Sequence, residues 1–412
     1  MPKTRPTRAL LGSCLIGLCL AALDGYGPSA TRGLIAPFAQ ADTADFRRFV
    51  EGLWPEAKAR GVSRATFDEA FRGVGPDPKI IALTRKQSEF VRPIWAYIDD
   101  AVSAQRLKRG REMAQEWEQT LGRIESAYGV PRSIVLGVWG METNFGSFTG
   151  SIYAIRALST LAFTRYRGDF FRDELLTALQ ILEREPIGRD QMVGSWAGAM
   201  GQTQFMPSSF MKYAVDGNRD GRRDIWRSVP DALASTANYL REQGWRPGLP
   251  WGFEVELPEG FDFRNFRLGF GSWAHLGVRR MDRQPMPKAG EATLFLPGGA
   301  SGPAFLITDN YAVIKTYNSS DAYAMGVAHL GDRVMGGRPI QGEWPSKERQ
   351  LDKNEREELQ KRLLALGFYS GDADGKLGTK SREAVRNFQL QRGLIPDGYA
   401  DAAVLRELRA AR

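Results

Sequence analysis

The chain has 412 residues, 42% hydrophobic and 25% charged, with a formal charge of +8. That is the composition of an ordinary globular protein, long enough for two or three domains. No basic stripe interleaved with aromatic residues is present, so nucleic-acid binding is not expected.

The first 41 residues read as a secretory signal peptide. Lys3, Arg5 and Arg8 form a basic start, Ala9 to Ala22 is apolar, and Ala39-Gln40-Ala41 is a small-residue cleavage signal. The apolar run is too short and glycine-broken to span a membrane comfortably. Leu11-Gly-Ser-Cys14 has a faint lipoprotein character, but the apolar run before it is very short, so a cleaved, periplasmic chain is expected. Both cysteines, Cys14 and Cys19, lie in this segment, so cleavage leaves no thiol for disulfides or catalysis. The mature chain keeps 52 basic and 47 acidic residues, a charge of +5 that suits an anionic polymer without demanding one.

Residues 42 to about 130 read as helices, starting with Phe46, Val50 and Leu53 at i, i+4, i+7. One helix is expected from Met113 to Tyr128, with Met113, Trp117, Leu121, Ile124 and Tyr128 as a core-packing stripe.

Pro131 suits the first turn of the next helix and Gly146 suits its stop. Between them, Ser133-Ile-Val-Leu-Gly-Val-Trp139 is apolar and leads to Glu142, close to the line of Val135 and Val138. A carboxyl on that face is desolvated, which raises its pKa as a general acid requires. The other reading is a helix-end Glu that curls out to solvent. The mature chain's two histidines, His275 and His329, lack metal-ligand spacing, and no G-x-S-x-G run is present. Catalysis then rests on carboxylates, amides and hydroxyls.

Residues 131–245 form a dense helical block. Within it, Asp216, Asn218, Asp220 and Asp224 fall at positions 1, 3, 5 and 9 of a partial EF-hand loop, with Gly221 at position 6 and the Arg222 carbonyl at 7. Position 12 is Arg227 rather than Glu. Weak calcium or sodium binding is one reading, and a metal-free Asx turn is the other. No cofactor is otherwise required.

From Arg246 to about Lys315, short strand-like runs appear at 253–257, 292–296 and 304–307, which suggests a small inserted antiparallel β unit. Helical pattern returns at Ala322–Val334. Residues 336–347 read as a linker and 348–412 as a separate helical module, with Thr379 capping its second helix. The expected fold is mainly α.

Four blocks together resemble the lytic murein transglycosylases of the B type. They are Gly137-Val-Trp-Gly-Met-Glu-Thr-Asn-Phe-Gly146, the run from Gly194 to Ser209, the run from Asp231 to Trp245, and Lys315-Thr-Tyr-Asn-Ser-Ser-Asp-Ala-Tyr-Ala-Met325. They keep the family's order over about residues 45–335. The resemblance implies a lysozyme-like core that cleaves bacterial peptidoglycan strands. It makes Glu142 the single catalytic carboxylate, first acid and then base on the muramoyl 6-hydroxyl, giving a 1,6-anhydro sugar. It also matches Ser195, Gln204, Tyr239, Tyr317, Asn318 and Tyr323 to active-site or substrate-side positions, although Tyr239 and Tyr323 could equally be core. The family's cation loop closes with a later Asp, for which Asp231 is the nearest candidate.

Asp374 to Gln389 resembles a three-helix peptidoglycan-binding module. Cell-wall synthases are the expected protein partners. A muramidase that hydrolyses the same bond, or a non-catalytic wall-binding protein, remain the alternatives.

Overall fold

A computed structural model describes residues 36–86 and 92–411. Residues 1–35, and with them most of the expected signal peptide, lie outside the described residues. Residues 36–41 begin the helix Ala36–Ala59.

The fold is mainly α, as expected, with two small antiparallel sheets. Strands β1 (Ile152–Tyr153) and β2 (Val193–Gly194) pair inside the helical block. The inserted unit holds β3 (Gly252–Glu256), β4 (Arg267–Gly269), β5 (Arg279–Arg280), β6 (Glu291–Phe295) and β7 (Ala304–Ile307), in the order β4-β6-β7-β3-β5. The three central strands are those legible in the sequence. The short edge strands β4 and β5 have no apolar alternation to reveal them.

Two expected helix limits differ in the structure. The stripe from Met113 to Tyr128 spans two helices, Ala104–Glu116 and Glu118–Tyr128, which meet at Trp117. The stripe still faces the core, because Trp117 N donates to Met113 O and Trp117 O accepts from Leu121 N across the break. The Glu142 helix runs Arg132–Thr143 and stops before Gly146, because Asn144 turns left-handed at φ 48°.

That helix packs antiparallel on the helix Asp321–Val334 through glycines. A Cβ on Gly137 would overlap the Val327 carbonyl, and one on Gly331 would overlap the Ser133 carbonyl. Side chains are thus excluded from the crossing, and the two backbones touch. Gly326 meets the Tyr97 ring of Ile94–Ala101, so a third helix closes on the same pair.

The C-terminal module packs helices Lys353–Ala365, Thr379–Gln391 and Ala402–Ala410 around Leu359, Leu363, Val385, Phe388, Leu405 and Leu408. Asp352 and Glu355 form a capping box on the first. Thr379 does not cap the second. Gly378 is the N-cap, and the Thr379 hydroxyl instead accepts from Lys315 Nζ of the main domain at 3.1 Å. The segment before the module is held to the main domain: Glu254 accepts from the Gln341 and Gly342 N–H groups, and Trp344 packs on Trp95 at 5.9 Å.

Gly137→Ala should overpack the helix crossing and cost about 1–3 kcal/mol of stability. Gly52, in the first helix with no atom near its would-be Cβ, should gain about 0.5–1 kcal/mol as Ala. Denaturant midpoints of the two variants check this. A Gly137→Ala midpoint equal to the wild type would contradict the backbone contact.

Candidate active site

Glu142 sits in the last turn of its helix, beside buried Trp139 and Thr143. The helix ends in three consecutive left-handed residues, Asn144 (φ 48°), Phe145 (φ 58°) and Gly146 (φ 73°). A left-handed Phe is costly and persists only where its surroundings over-determine it. Here the Phe145 ring is buried edge-on against Trp139, with centroids 5.7 Å apart. Arg109 donates to the Asn144 and Phe145 carbonyls at 3.0 and 3.2 Å. Thr143 Oγ1 accepts from Gly146 N at 3.1 Å. The turn directs the chain away directly after Glu142 and leaves the carboxyl open to a cleft.

That cleft has a volume of about 290 Å³ and is lined by Glu142, Tyr323, Tyr97, Asn144, Phe148, Asp100, Arg106 and Arg92, among others. Glu142 is half-buried, and Tyr323 donates its hydroxyl proton to Glu142 Oε1. Burial pushes the Glu142 pKa up to about 8, against the opposing pull of the Tyr323 hydrogen bond. The negative end of the helix dipole also disfavours a carboxylate in the last turn. Glu142 therefore holds a proton at neutral pH. Burial, and next the Glu142 carboxyl, hold the Tyr323 phenol well above its ordinary pKa, so it stays a hydrogen-bond donor.

Of the six positions matched by resemblance to the substrate side, Tyr323 lines this cleft. Ser195 is buried, and its hydroxyl accepts from the Ala197 and Ala199 N–H groups at 3.3 and 3.1 Å. It closes the loop after β2. Gln204 is half-buried at φ 50°, and its amide donates to the Thr149 and Gly201 carbonyls at 3.1 and 2.9 Å. Tyr239 donates to Thr316 O at 2.8 Å and packs on Tyr317 with rings 4.6 Å apart. Asn318 is buried and accepts from Ser320 N at 3.0 Å. These residues shape the loops and the aromatic wall around Tyr323 and do not line the 290 Å³ cavity.

Gln202 is a residue that sequence reasoning missed. It is buried, accepts from Trp139 Nε1 at 2.9 Å, and its carbonyl accepts from Thr143 Oγ1 at 3.1 Å. It locks the Glu142 helix to the Gly194–Ser209 block. Tyr97, Asp100, Arg106 and Phe148 were missed as well, since they carry no motif. The Asn144 Oδ1 is buried and makes no protein hydrogen bond, although Asn144 itself lines the cleft.

The Asp216 loop is built as an Asx turn. Asp216 accepts from the Arg219, Asp220 and Gly221 N–H groups at 2.6, 3.1 and 2.7 Å. Asp231 is fully buried and accepts from Gly217, Asn218 and Asp224 N–H groups at 2.9, 3.2 and 2.8 Å, so it holds the loop from beneath. No three His, Cys, Asp or Glu side chains converge as a metal cluster among the described residues. An oxygen-seeking cation would rely on the remaining lone pairs of Asp216, Asn218 and Asp220 and on the Arg222 carbonyl, a weak set.

Known proteins resemble this chain over most of its length. Residues 45–332 match the family described as transglycosylase SLT domain, and residues 352–408 match a peptidoglycan binding domain. The chain is 34% identical over 240 residues to membrane-bound lytic murein transglycosylase B of Escherichia coli, a match that spans 57% of this chain and 65% of that relative. SltB3 from Pseudomonas aeruginosa, solved in complex with NAG-anhNAM-pentapeptide, is 43% identical, with a TM-score of 0.82 over 88% of this chain and 99% of its own. SltB1 from Pseudomonas aeruginosa is 32% identical, with a TM-score of 0.60 over 70% of this chain and 97% of its own. The Escherichia coli lytic transglycosylase SLT35, solved in complex with calcium, is 28% identical, with a TM-score of 0.59 over 72% of this chain and 94% of its own. The family's match across most of the chain, and a fold shared over its full helical core, make this protein a member of the transglycosylase SLT family.

Proposed function

We propose that the chain is a periplasmic lytic transglycosylase that cuts the β-1,4 bond between N-acetylmuramic acid and N-acetylglucosamine in peptidoglycan. One observation carries the reading: a half-buried carboxyl, Glu142, protonated at neutral pH and held by Tyr323 at the floor of a cleft. The Glu142 proton goes to the glycosidic oxygen as the C1–O4 bond breaks. The resulting carboxylate takes the proton of the muramoyl 6-hydroxyl as its oxygen bonds to C1. The product is a 1,6-anhydromuramic end, and no water is consumed. A carboxyl with a pKa near 8 suits both steps, since it is a willing acid and a stronger base than an ordinary Glu. SltB3 binds NAG-anhNAM-pentapeptide and NAG-NAM-pentapeptide, which supports glycan strands as the ligand here.

The periplasmic assignment is supported by the basic, apolar and Ala-Gln-Ala pattern of residues 1–41. Among the described residues no helix is long and apolar enough to cross a membrane. Partnership with cell-wall synthases is proposed from the resemblance.

A second reading, hydrolysis, draws on Asp100, a second carboxylate lining the cleft. Paired-acid glycosidases need one. Asp100 is exposed and ion-paired with Arg92, which favours the single-carboxylate route. A weak cation site at Asp216, Asn218, Asp220 and the Arg222 carbonyl, clamped by Asp231, also belongs to the proposal. The calcium complex of SLT35 supports it.

Glu142→Gln should lower cleavage of purified sacculi by about a hundred- to ten-thousandfold, while Asp100→Asn keeps most activity. Mass spectrometry of the digests should show anhydromuramic ends. Reducing ends, with Asp100→Asn inactive, would instead establish the hydrolase.

The alkaline limb of kcat/KM should fall near pH 8, where Glu142 loses its proton. Tyr323→Phe removes a hydrogen bond that lowers this pKa, so its limb should move to higher pH while kcat drops by about ten- to hundredfold. A limb that stays in place in Tyr323→Phe would break the link between the two groups.

Calcium at about ten times its Kd should raise unfolding stability by about 1.4 kcal/mol, with the Kd on the order of millimolar. Asp216→Asn should abolish the increment. Thermal melts with calcium or with chelator decide, and identical melts for the wild type would remove the cation from the proposal.

A further inference from the structure

Asp321 is the first residue of the helix that carries Tyr323, and it is 9% exposed. Its carboxylate lies between two cations from different parts of the chain. Lys315 Nζ of the main domain donates to Oδ1 at 2.6 Å. Arg382 of the C-terminal module donates to Oδ2 through Nη2 at 3.0 Å and Nε at 3.2 Å. Lys315 also reaches the module's Thr379 hydroxyl at 3.1 Å, and the Tyr311 hydroxyl lies 3.3 Å from Oδ1. The side-chain cap of this helix is weak by comparison, since Ser320 Oγ accepts from Tyr323 N at 3.5 Å.

We propose that the module is part of the catalytic apparatus, with Arg382 acting as a positioning residue that, through Asp321 and the first helical turn, holds the Tyr323 hydroxyl on Glu142. Two observations and one physical argument carry this. Asp321 and Tyr323 share one helical turn, so a displacement of one moves the other. A buried carboxylate that loses one of two cations must rearrange or draw in water, because its remaining charge is under-compensated. The fork of Arg382 arrives from a helix docked at further fixed points. Arg386, one turn on, donates to the Phe263 and Arg264 carbonyls at 3.2 and 3.0 Å and covers the Phe266 ring at 4.5 Å. Asp397 accepts from Ala300 N at 3.0 Å.

The network is fully engaged when the module is docked. Burial pushes the Asp321 pKa up, but Arg382 and Lys315 outweigh it and hold the carboxyl below its usual range, so it stays charged at neutral pH. Glu142 is faced by Tyr323 from this helix, Tyr97 and Asp100 from Ile94–Ala101, Arg106 from Ala104–Glu116, and Arg92. Tyr323 is joined to the module through the backbone of its first helical turn and the Asp321–Arg382 ion pair. A hydroxyl displaced by about 1 Å loses most of its hydrogen bond, and such misplacement near a reacting group is felt strongly in rate.

The inference rests on the transglycosylase reading. The test uses the full-length chain and measures kcat, KM and the pH profile of sacculus cleavage for Arg382→Gln, Arg382→Lys, Tyr323→Phe and the Arg382→Gln/Tyr323→Phe double variant. Arg382→Gln should lower kcat by roughly two- to thirtyfold and shift the alkaline limb upward, in the direction of Tyr323→Phe. Arg382→Lys should recover part of the loss, and in the double variant Arg382→Gln should add no further shift of the limb. A raised KM with the limb in place would mean that the module only tethers the enzyme to its polymer, and the inference falls. Should Arg382→Gln fail to fold by circular dichroism, Arg382→Lys carries the test, and an unmoved limb there overturns the proposal. End-group analysis of the wild-type digest separates the two levels. Reducing ends overturn the transglycosylase reading and leave the limb shift readable, whereas no cleavage at all overturns both.

Discussion

The site depends on the contact of two helix backbones. The Arg132–Thr143 and Asp321–Val334 helices run antiparallel and meet where glycine replaces any side chain, Gly137 on the Val327 carbonyl and Gly331 on the Ser133 carbonyl. Helices that carry side chains at a crossing stand roughly 8–10 Å apart. Here the glycines let the backbones themselves touch. The same register that sets Gly137 on Val327 brings Glu142 opposite Tyr323 one further turn along. The hydrogen bond between those two side chains is therefore a by-product of glycine placement several residues away.

Close packing also sets the electrostatics. Burial of Glu142 raises its pKa, and the last turn of the helix adds its own bias against negative charge. The left-handed turn at Asn144, Phe145 and Gly146 keeps this environment from closing over the carboxyl. Its strain is balanced by the buried Phe145 ring, the Arg109 fork and the Thr143 hydroxyl. Gln202 extends the brace to the Gly194–Ser209 block, since its side chain and backbone both bind the Glu142 helix.

Beyond the pair, the described residues form three apolar cores, and the sheet shares Phe295 and Phe305 with the helical block. The helical block, the five-stranded sheet and the C-terminal module each bury their own apolar cluster. Between sheet and module the joints are guanidinium groups on carbonyls and aromatic faces, and between helical block and module the joint is a buried carboxylate. Such contacts are directional, so they fix orientation more than they add stability. A module attached this way is held at a defined angle to the cleft.

Much of this was legible in the sequence. Amphipathic spacing and turn residues located the module's helices and the three central strands, because those signals are local and repeat every two or three to four residues. The same periodicity put Glu142 on an apolar line, and four ordered blocks gave its family. The sequence determined which residues could do the chemistry. What the tertiary structure decided is which of them meet. Glu142 and Tyr323 are 181 positions apart, and Asp321 and Arg382 are 61 apart. No periodicity reaches across such distances. Ser195, Gln204, Tyr239, Tyr317 and Asn318 belong to the matched blocks, yet their polar atoms bond backbone and neighbouring side chains and they do not line the cavity. The pairing of Glu142 and Tyr323 follows from where glycines let backbones approach, and that is a property of the packed chain.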